Sequence, residues 1–265
     1  MKSWAIVTGA SSGIGAEFAR QLSAQYDIVA VARRRDRLEA LAAWATEEGG
    51  RVVPLVADLQ TKEGIAAVLQ HAQRLESVAL LINCAGYADH GAFVELPESH
   101  SRGLVELNVV ALLELTRGIL PLMVTRGSGQ IVNVASGMAF QAVPYFSTYA
   151  ASKAFVLSFT DGLARELSGT GVQVQALCPG VTRTEFGSVP GIEAVLGRLP
   201  TSEAKDVVRA SLAGLRRKRV VVTVGAFTQL MGFLARVTPR WLNRWVGGRL
   251  MQPVRPALPA PTVAP

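Results

Sequence analysis

Short apolar runs alternate along this chain with longer stretches in which apolar residues recur every third or fourth position. Runs at 4–8, 28–32, 52–57, 78–83, 130–136, 172–177 and 219–224 predict strands. Periodic stretches at 13–25, 36–47, 61–74, 98–126, 147–168 and 203–217 predict helices with one apolar side. Ile28-Val29-Ala30-Val31 has no polar alternation, as expected of a strand covered on both faces. Regular strand–helix alternation predicts an α/β fold, a doubly wound parallel sheet of seven strands with helices on both faces. No linker or repeat interrupts the pattern before residue 225, so 1–225 is expected to be one domain.

The pattern changes afterwards. Residues 226–251 mix Phe227, Leu230, Met231, Phe233, Leu234, Trp241, Leu242, Trp245 and Val246 with Arg236, Arg240, Arg244 and Arg249. Around Trp241 the apolar positions recur at i, i+1, i+4 and i+5, while Arg240 and Arg244 keep to another face. That predicts a short amphipathic helix, limited by Gly247-Gly248. The fourteen residues from Gln252 hold five prolines and one charge, Arg255, which predicts an irregular tail. Residues 226–265 therefore read as a C-terminal extension.

Charge is divided along the same line. The net charge is +7, but residues 1–204 carry 16 Lys/Arg against 19 Asp/Glu, and residues 205–265 carry 11 against one, Asp206. Tryptophan beside arginine in a basic segment suits contact with an anionic membrane surface. The competing expectation is that the extension packs on its own domain or on a partner subunit, covering the substrate pocket. No recognition-helix motif, zinc-finger spacing or RNA-binding aromatic signature accompanies the charge, so no nucleic-acid partner is expected.

Composition narrows the rest. With 49% hydrophobic and 18% charged residues, the chain can bury a large core. Cys84 and Cys178 lie in apolar stretches, which fits a reducing, cytoplasmic location. His71, His90 and His100 have no partners at ligand spacing, so no metal is expected. The N-terminal apolar run meets a glycine turn at once and is too short for a signal sequence. No later stretch reads as long and apolar enough to span a bilayer.

Chemistry enters with that turn, Thr8-Gly9-Ala10-Ser11-Ser12-Gly13-Ile14-Gly15, placed between a buried strand and a helix. Glycines let a backbone turn tightly and approach a pyrophosphate, and the helix N-terminus offers N–H groups to it. Gly9, Ser11, Ser12, Gly13, Ile14 and Gly15 are thus cofactor-binding candidates. An NAD site usually places an acid at the tip of the second strand to hold the ribose hydroxyls. Here the tip reads Val31-Ala32-Arg33-Arg34-Arg35. Arg33 and Arg34 can pair with a 2′-phosphate, so NADP(H) is the expected cofactor.

Tyr149 and Lys153 lie four residues apart on one predicted helix face, with Ser136 upstream. A phenol ionises near pH ~10, and a nearby cation favours the phenolate. A nucleotide turn with a tuned acid–base pair predicts transfer of hydride and proton to or from a carbonyl. A nucleotide-binding scaffold without turnover is the alternative, although such a protein has no need to keep both Tyr149 and Lys153.

The sequence at this point resembles the short-chain dehydrogenase/reductase superfamily in its single-domain, Rossmann-type form, over about residues 3–225. The resemblance rests on TGASSGIG at 8–15, Asp58-Leu59, Asn83-Cys84-Ala85-Gly86, Asn108, Ser136, Tyr149-x-x-x-Lys153 and Pro179-Gly180-Val181-Thr182-Arg183-Thr184. It implies that Tyr149 is the general acid or base, that Lys153 lowers its pKa and holds the nicotinamide ribose, and that Ser136 binds the substrate oxygen. It further implies that Asn108 fixes a water in a relay through Lys153. Asp58, beside Leu59, would contact the adenine. Asn83 and Gly86, with Ala85 between them, would floor the adenosine, and Pro179, Gly180, Val181 and Thr184 would hold the nicotinamide end. The family's strand order, 3-2-1-4-5-6-7, separates Cys84 from Cys178 by an intervening strand, so two free thiols are expected. The resemblance is nearest the steroid and long-chain ketoacyl reductase branch. The pocket is expected from residues 87–93, 137–146 and 185–200, which are largely apolar apart from Asp89, Arg183, Glu185 and Arg198. A lipophilic carbonyl or alcohol substrate follows. A homodimer, with a homotetramer as alternative, is implied through the long helices at 98–126 and 147–168 and through the final helix and strand.

Overall fold

The computed structural model describes residues 2–185, 197 and 199–252. The first half runs β1 (Trp4–Thr8), α1 (Gly13–Leu22), β2 (Asp27–Ala32), α2 (Arg35–Glu47), β3 (Arg51–Val56), α3 (Lys62–Gln73) and β4 (Val78–Asn83). A continuous helical run follows as α4 (Glu98–Val105), a π-helical turn (Glu106–Ala111) and α5 (Leu112–Arg126). Then come β5 (Gly129–Val134), a 3-10 turn (Gly137–Phe140), α6 (Ser147–Glu166) and β6 (Val172–Pro179). The remainder is β7 (Val181–Arg183), β8 (Thr201–Glu203), α7 (Ala204–Arg216), β9 (Val221–Val224), α8 (Ala226–Val237) and α9 (Arg240–Leu250).

Seven strands form one parallel sheet, ordered β3-β2-β1-β4-β5-β6-β9. Strand side chains alternate between faces. Ala5 and Val7 of β1 join Ile28 and Ala30 of β2 under Phe18 of α1, Leu38 of α2 and Val207 of α7. Ile6 and Val29 face the other way, against Ile65 of α3, Ile119 of α5 and Leu163 of α6. Complete burial of such side chains contributes about 1.5–3 kcal/mol each, which is why both faces need a helical layer. β3, at one edge, accommodates Pro54, whose missing N–H an outer strand tolerates. The strand order reverses beside β1, and the crevice beyond the strands' carboxyl ends at that switch is where such sheets bind ligands.

Three features depart from the sequence reading. The pair β7–β8 was not expected, because three-residue strands carry no usable period. The predicted run at 219–224 starts only at Val221, since Lys218 adopts φ 54° in a turn and Arg219 N–H donates to Gly214. One helix, Glu98–Arg126, does reach the length and mean hydropathy (1.6) of a membrane span, contrary to expectation. Its apolar residues Leu115, Ile119 and Met123 are fully or almost fully buried in the helix–sheet core. The amphipathic extension is present as two helices. α8 packs on the 137–140 turn, where Gly232 meets Phe140, and Gly247 of α9 meets Pro144. The proline-rich tail from 253 and residues 186–196 and 198, including Arg198, lie outside the described residues.

Candidate active site

The turn between β1 and α1 depends on two left-handed residues: Gly13 has φ 54° and Gly9 has φ 69°, where a Cβ would stand 3.0 Å from the Ala85 backbone. Thr8, which the sequence reading passed over, fastens this turn to the next strand. Its hydroxyl donates to the Ile82 carbonyl (3.2 Å) and accepts from the N–H groups of Cys84 (2.9 Å) and Ala85 (3.0 Å). The only hint in the sequence was a threonine at a strand end.

At the tip of β2, Arg34 reaches back across the turn. Its Nε and Nη2 donate to Ser11 Oγ at 3.2 and 3.0 Å, and its Nη1 donates to Glu185 at 2.8 Å. Arg33 is more exposed, with Nη1 3.9 Å from the Asp58 carboxylate. Both arginines line the same cavity as Ser11, Asp58 and Leu59.

Tyr149 and Lys153, on the first turns of α6, are both buried, and Ser136 lies just beyond β5. The Tyr149 and Ser136 side chains are hydrogen-bonded. Ser136 Oγ also accepts from Met138 N–H (3.1 Å), so it caps the 3-10 turn as well. Lys153 Nζ donates to the Val134 carbonyl (2.8 Å) and stands 5.8 Å from the Tyr149 ring centre. Burial pushes the Tyr149 hydroxyl up to about 12, against the lowering effect of the Ser136 hydrogen bond. Burial likewise pulls Lys153 down to about 8. The expected depression of Tyr149 by its lysine is therefore outweighed. Lys153 is itself desolvated and directed at a carbonyl, so its charge does not compensate the phenol's burial.

Asn108 sits in the π-helical turn, a local irregularity often found at functional sites. Its Oδ1 accepts from Tyr87 N–H (3.1 Å), and its Nδ2 donates to the Tyr87 carbonyl (3.0 Å) and to Ser152 Oγ (3.1 Å). Ser152 in turn donates to the Tyr149 carbonyl at 2.7 Å. Asn108 thus ties the 83–87 turn to the helix that carries the tyrosine. Gly86 is wedged between them: a Cβ there would fall 2.8 Å from Asn108 Oδ1 and 3.5 Å from Lys153 Nζ. Asn83 lies beneath the site rather than in it. Its amide donates to Thr116 Oγ1 (3.0 Å) and Asn133 Oδ1 (2.9 Å), and Asn133 donates to Thr160 Oγ1 of α6 (3.0 Å). Neither Asn83 nor Asn108 lines the cavity; the other sequence candidates do.

That cavity encloses about 960 Å³, at the upper end of small-molecule sites. One half is the glycine turn with Arg33 and Arg34. The other half is mainly apolar: Met138, Val143 and Phe146 share it with Phe227, Met231, Leu234, Leu242 and Val246 from α8 and α9, while Asn243 and Arg249 add polar groups to the same wall. The extension is therefore a wall of the pocket, and His90 Nε2 lies 3.0 Å from the Met251 carbonyl, joining its end to the 83–96 loop. Of the expected stretch 87–93 only Tyr87 lines the cavity. Asp89 is buried beside Ser101, and Arg183 turns outward to Glu203 (3.0 Å), so neither adds charge to the pocket. Pro179, Gly180, Val181 and Thr184 line the same cavity; Thr184 packs against Gly13 of the glycine turn, and Val181 packs in one cluster with Val143, Phe146 and Tyr149. Cys84 and Cys178 are free thiols, both pushed up to about 12 by burial. Among the described residues no cluster of His, Cys, Asp or Glu could hold a metal ion.

Known proteins of one family are similar to this chain. The family described as short chain dehydrogenase matches residues 3–189. The ketoacyl reductase HetN of Nostoc sp. is 31% identical over 253 residues, covering 91% of this chain and 88% of that protein. A short-chain dehydrogenase from Sphingobium yanoikuyae, solved in complex with NADPH, is 36% identical, with a TM-score of 0.80 over 98% of this chain and 99% of the other. A bulky-bulky ketone specific alcohol dehydrogenase from Comamonas testosteroni is 31% identical, with a TM-score of 0.76 over 99% of each chain.

Proposed function

This chain belongs to the short chain dehydrogenase family, and from that premise we propose that it is an NADP(H)-dependent oxidoreductase acting on a lipophilic ketone or secondary alcohol. The observation that carries the reading is the placing of Tyr149, hydrogen-bonded to Ser136 and backed by Lys153, where the glycine-turn half of the cavity meets the apolar half. A nicotinamide cofactor supplies the hydride when bound, and the residues that would hold it are the 9–15 turn, Arg33, Arg34, Asp58 and the 179–184 segment. A carbonyl oxygen placed against Tyr149 and Ser136 receives a proton from the phenol as charge develops on it. The Ser136 hydroxyl donates a second hydrogen bond to that oxygen, a contribution that grows with the charge. Lys153 holds the tyrosine's surroundings electropositive while it remains protonated. Alcohol oxidation is the reverse and requires Tyr149 as the phenolate, which accepts the alcohol proton.

A lipophilic substrate is supported by the apolar wall from α8 and α9, and by the bulky-ketone and ketoacyl substrates named for the similar proteins. NADP(H) is supported by the two arginines and by the NADPH held in the similar Sphingobium structure. The test is absorbance at the nicotinamide band with NADPH and NADH, each mixed with bulky apolar ketones. Tyr149→Phe should bind cofactor normally and lose turnover by about 10²-fold or more. Near-normal turnover in that variant would overturn the assignment.

A second reading concerns the outer side of the extension. Leu230, Phe233 and Val237 of α8, and Trp241 and Trp245 of α9, are more than half exposed, and Arg236, Arg240 and Arg244 are exposed among them. The helices thus have two apolar sides, one on the cavity and one outward. An isologous contact with a second copy would set arginine against arginine, since no acid occurs after Asp206. An anionic lipid surface meets both the aromatic and the cationic character of this face, beside the pocket for an apolar substrate.

A further inference from the structure

We propose that Glu185 sets cofactor preference, by holding the arginine site against the 2′-phosphate of NADP(H). The inference rests on the NADP(H) reading and adds a residue that opposes it. Each of the carboxylate's oxygens meets a different guanidinium. Oε2 accepts from Arg34 Nη1 at 2.8 Å, and Oε1 lies 3.5 Å from Arg37 Nη2, one turn into α2. Ser12 of the glycine turn is a second hydrogen-bond partner beside Arg34. Two guanidinium groups and a hydroxyl around an oxyanion are also what a phosphate monoester requires. Arg34 has its remaining donors on Ser11, so the Nη1 edge is the one contested.

The position of Glu185 is fixed by its neighbour. Thr184 packs over Gly13, leaving 3.0 Å between its side chain and the place a Cβ on Gly13 would take. The next residue is thereby directed over the glycine turn towards α2. The arginines hold the carboxyl below the usual carboxylate range, the Arg34 hydrogen bond being the largest cause, so it stays anionic at neutral pH. A phosphate approaching Arg34 must displace this anion. A cofactor with a free 2′-hydroxyl need not, and leaves Arg34 paired with Glu185. Glu185 therefore narrows the advantage that the arginines give to NADP(H).

The pair is half exposed, with side-chain exposures of 43% and 46%, so water and salt screen it and the effect is modest. Glu185→Gln is isosteric and should tighten NADPH by about two- to fivefold while changing NADH less than about twofold. Fluorescence titration of each cofactor, and of 2′,5′-ADP against ADP, reads this without turnover. In an Arg34→Ala background the gain should shrink, because the shortest of the contested contacts is gone and only the Arg37 pair remains. Equal tightening of both cofactors, or a gain that persists in full without Arg34, would overturn the proposal. The underlying reading fails separately: Arg34→Ala would then weaken NADPH and NADH alike. A selective loss in Arg34→Ala with no response to Glu185→Gln sinks only the role given to Glu185.

Discussion

At the scale of single residues, burial governs the acid–base groups more than charge does. Tyr149, raised to about 12, is a neutral phenol throughout the physiological range, the form needed to protonate a carbonyl. Lys153, lowered to about 8, is cationic below that value and neutral above it. The sign for reduction follows: kcat/KM should be level below pH ~7 and fall as Lys153 loses its proton, with an inflection near its free-enzyme value. Lys153→Arg, which does not titrate in this range, should leave whatever activity remains flat. A wild-type profile without an inflection between about pH 7 and 9.5 would refute the role given to Lys153. Tyr149, Lys153 and Ser136 were legible because their residue types and spacing are informative alone. Thr8 and Glu185 were not, since each acts through groups distant in sequence, and neither was Ser152, whose link from the Tyr149 carbonyl to Asn108 spans two elements.

At the scale of elements, the seven strands of the main sheet were legible to within two residues at each end, because their apolar runs are short and bounded, whereas the three-residue β7 and β8 were not. The long run 98–126 was legible as helix, but not its π-helical turn at Glu106–Ala111, whose signal is a hydrogen-bond shift without change of pattern. The extension was legible as amphipathic, yet its period could not say which side faces protein. The structure gives an apolar side each way, and that yields an expectation. Intact protein should co-sediment with anionic vesicles, weakly with neutral ones, and less as salt rises. Trp241→Ser with Trp245→Ser should abolish this and spare folding, since both rings point outward. Truncation is the poorer test, because α8 and α9 wall the cavity. Indifference to vesicles by the intact chain would remove the membrane reading.

At the scale of the whole molecule, one further surface leaves apolar side chains exposed. Leu113, Leu122 and Val124 of α5 are exposed, and Phe155 of α6 is exposed while stacked on Phe159 at 5.8 Å. These are the two long helices through which the family resemblance implies association. A homodimer is expected by light scattering at micromolar concentration, with Phe155→Arg shifting it towards monomer. A wild-type protein that stays monomeric under those conditions would exclude it. This surface carries Glu106, Glu114 and Arg117 among its apolar residues, so it lacks the one-sided charge of the extension.

The amino-acid sequence alone determined what depends on local order: the strand–helix alternation, the doubly wound sheet it demands, the glycine turn, and the tyrosine–lysine pair on one helix. Each is encoded within a few residues, so the period and the residue type suffice. Tertiary structure alone decided what depends on residues far apart in the chain. It set Asn83 below the site and Asn108 between the 83–87 turn and α6, through hydrogen bonds spanning several elements. It brought Glu185 onto Arg34 across 151 positions. It also made the extension a wall of the cavity, because a helix with two apolar sides buries whichever one its neighbours can cover.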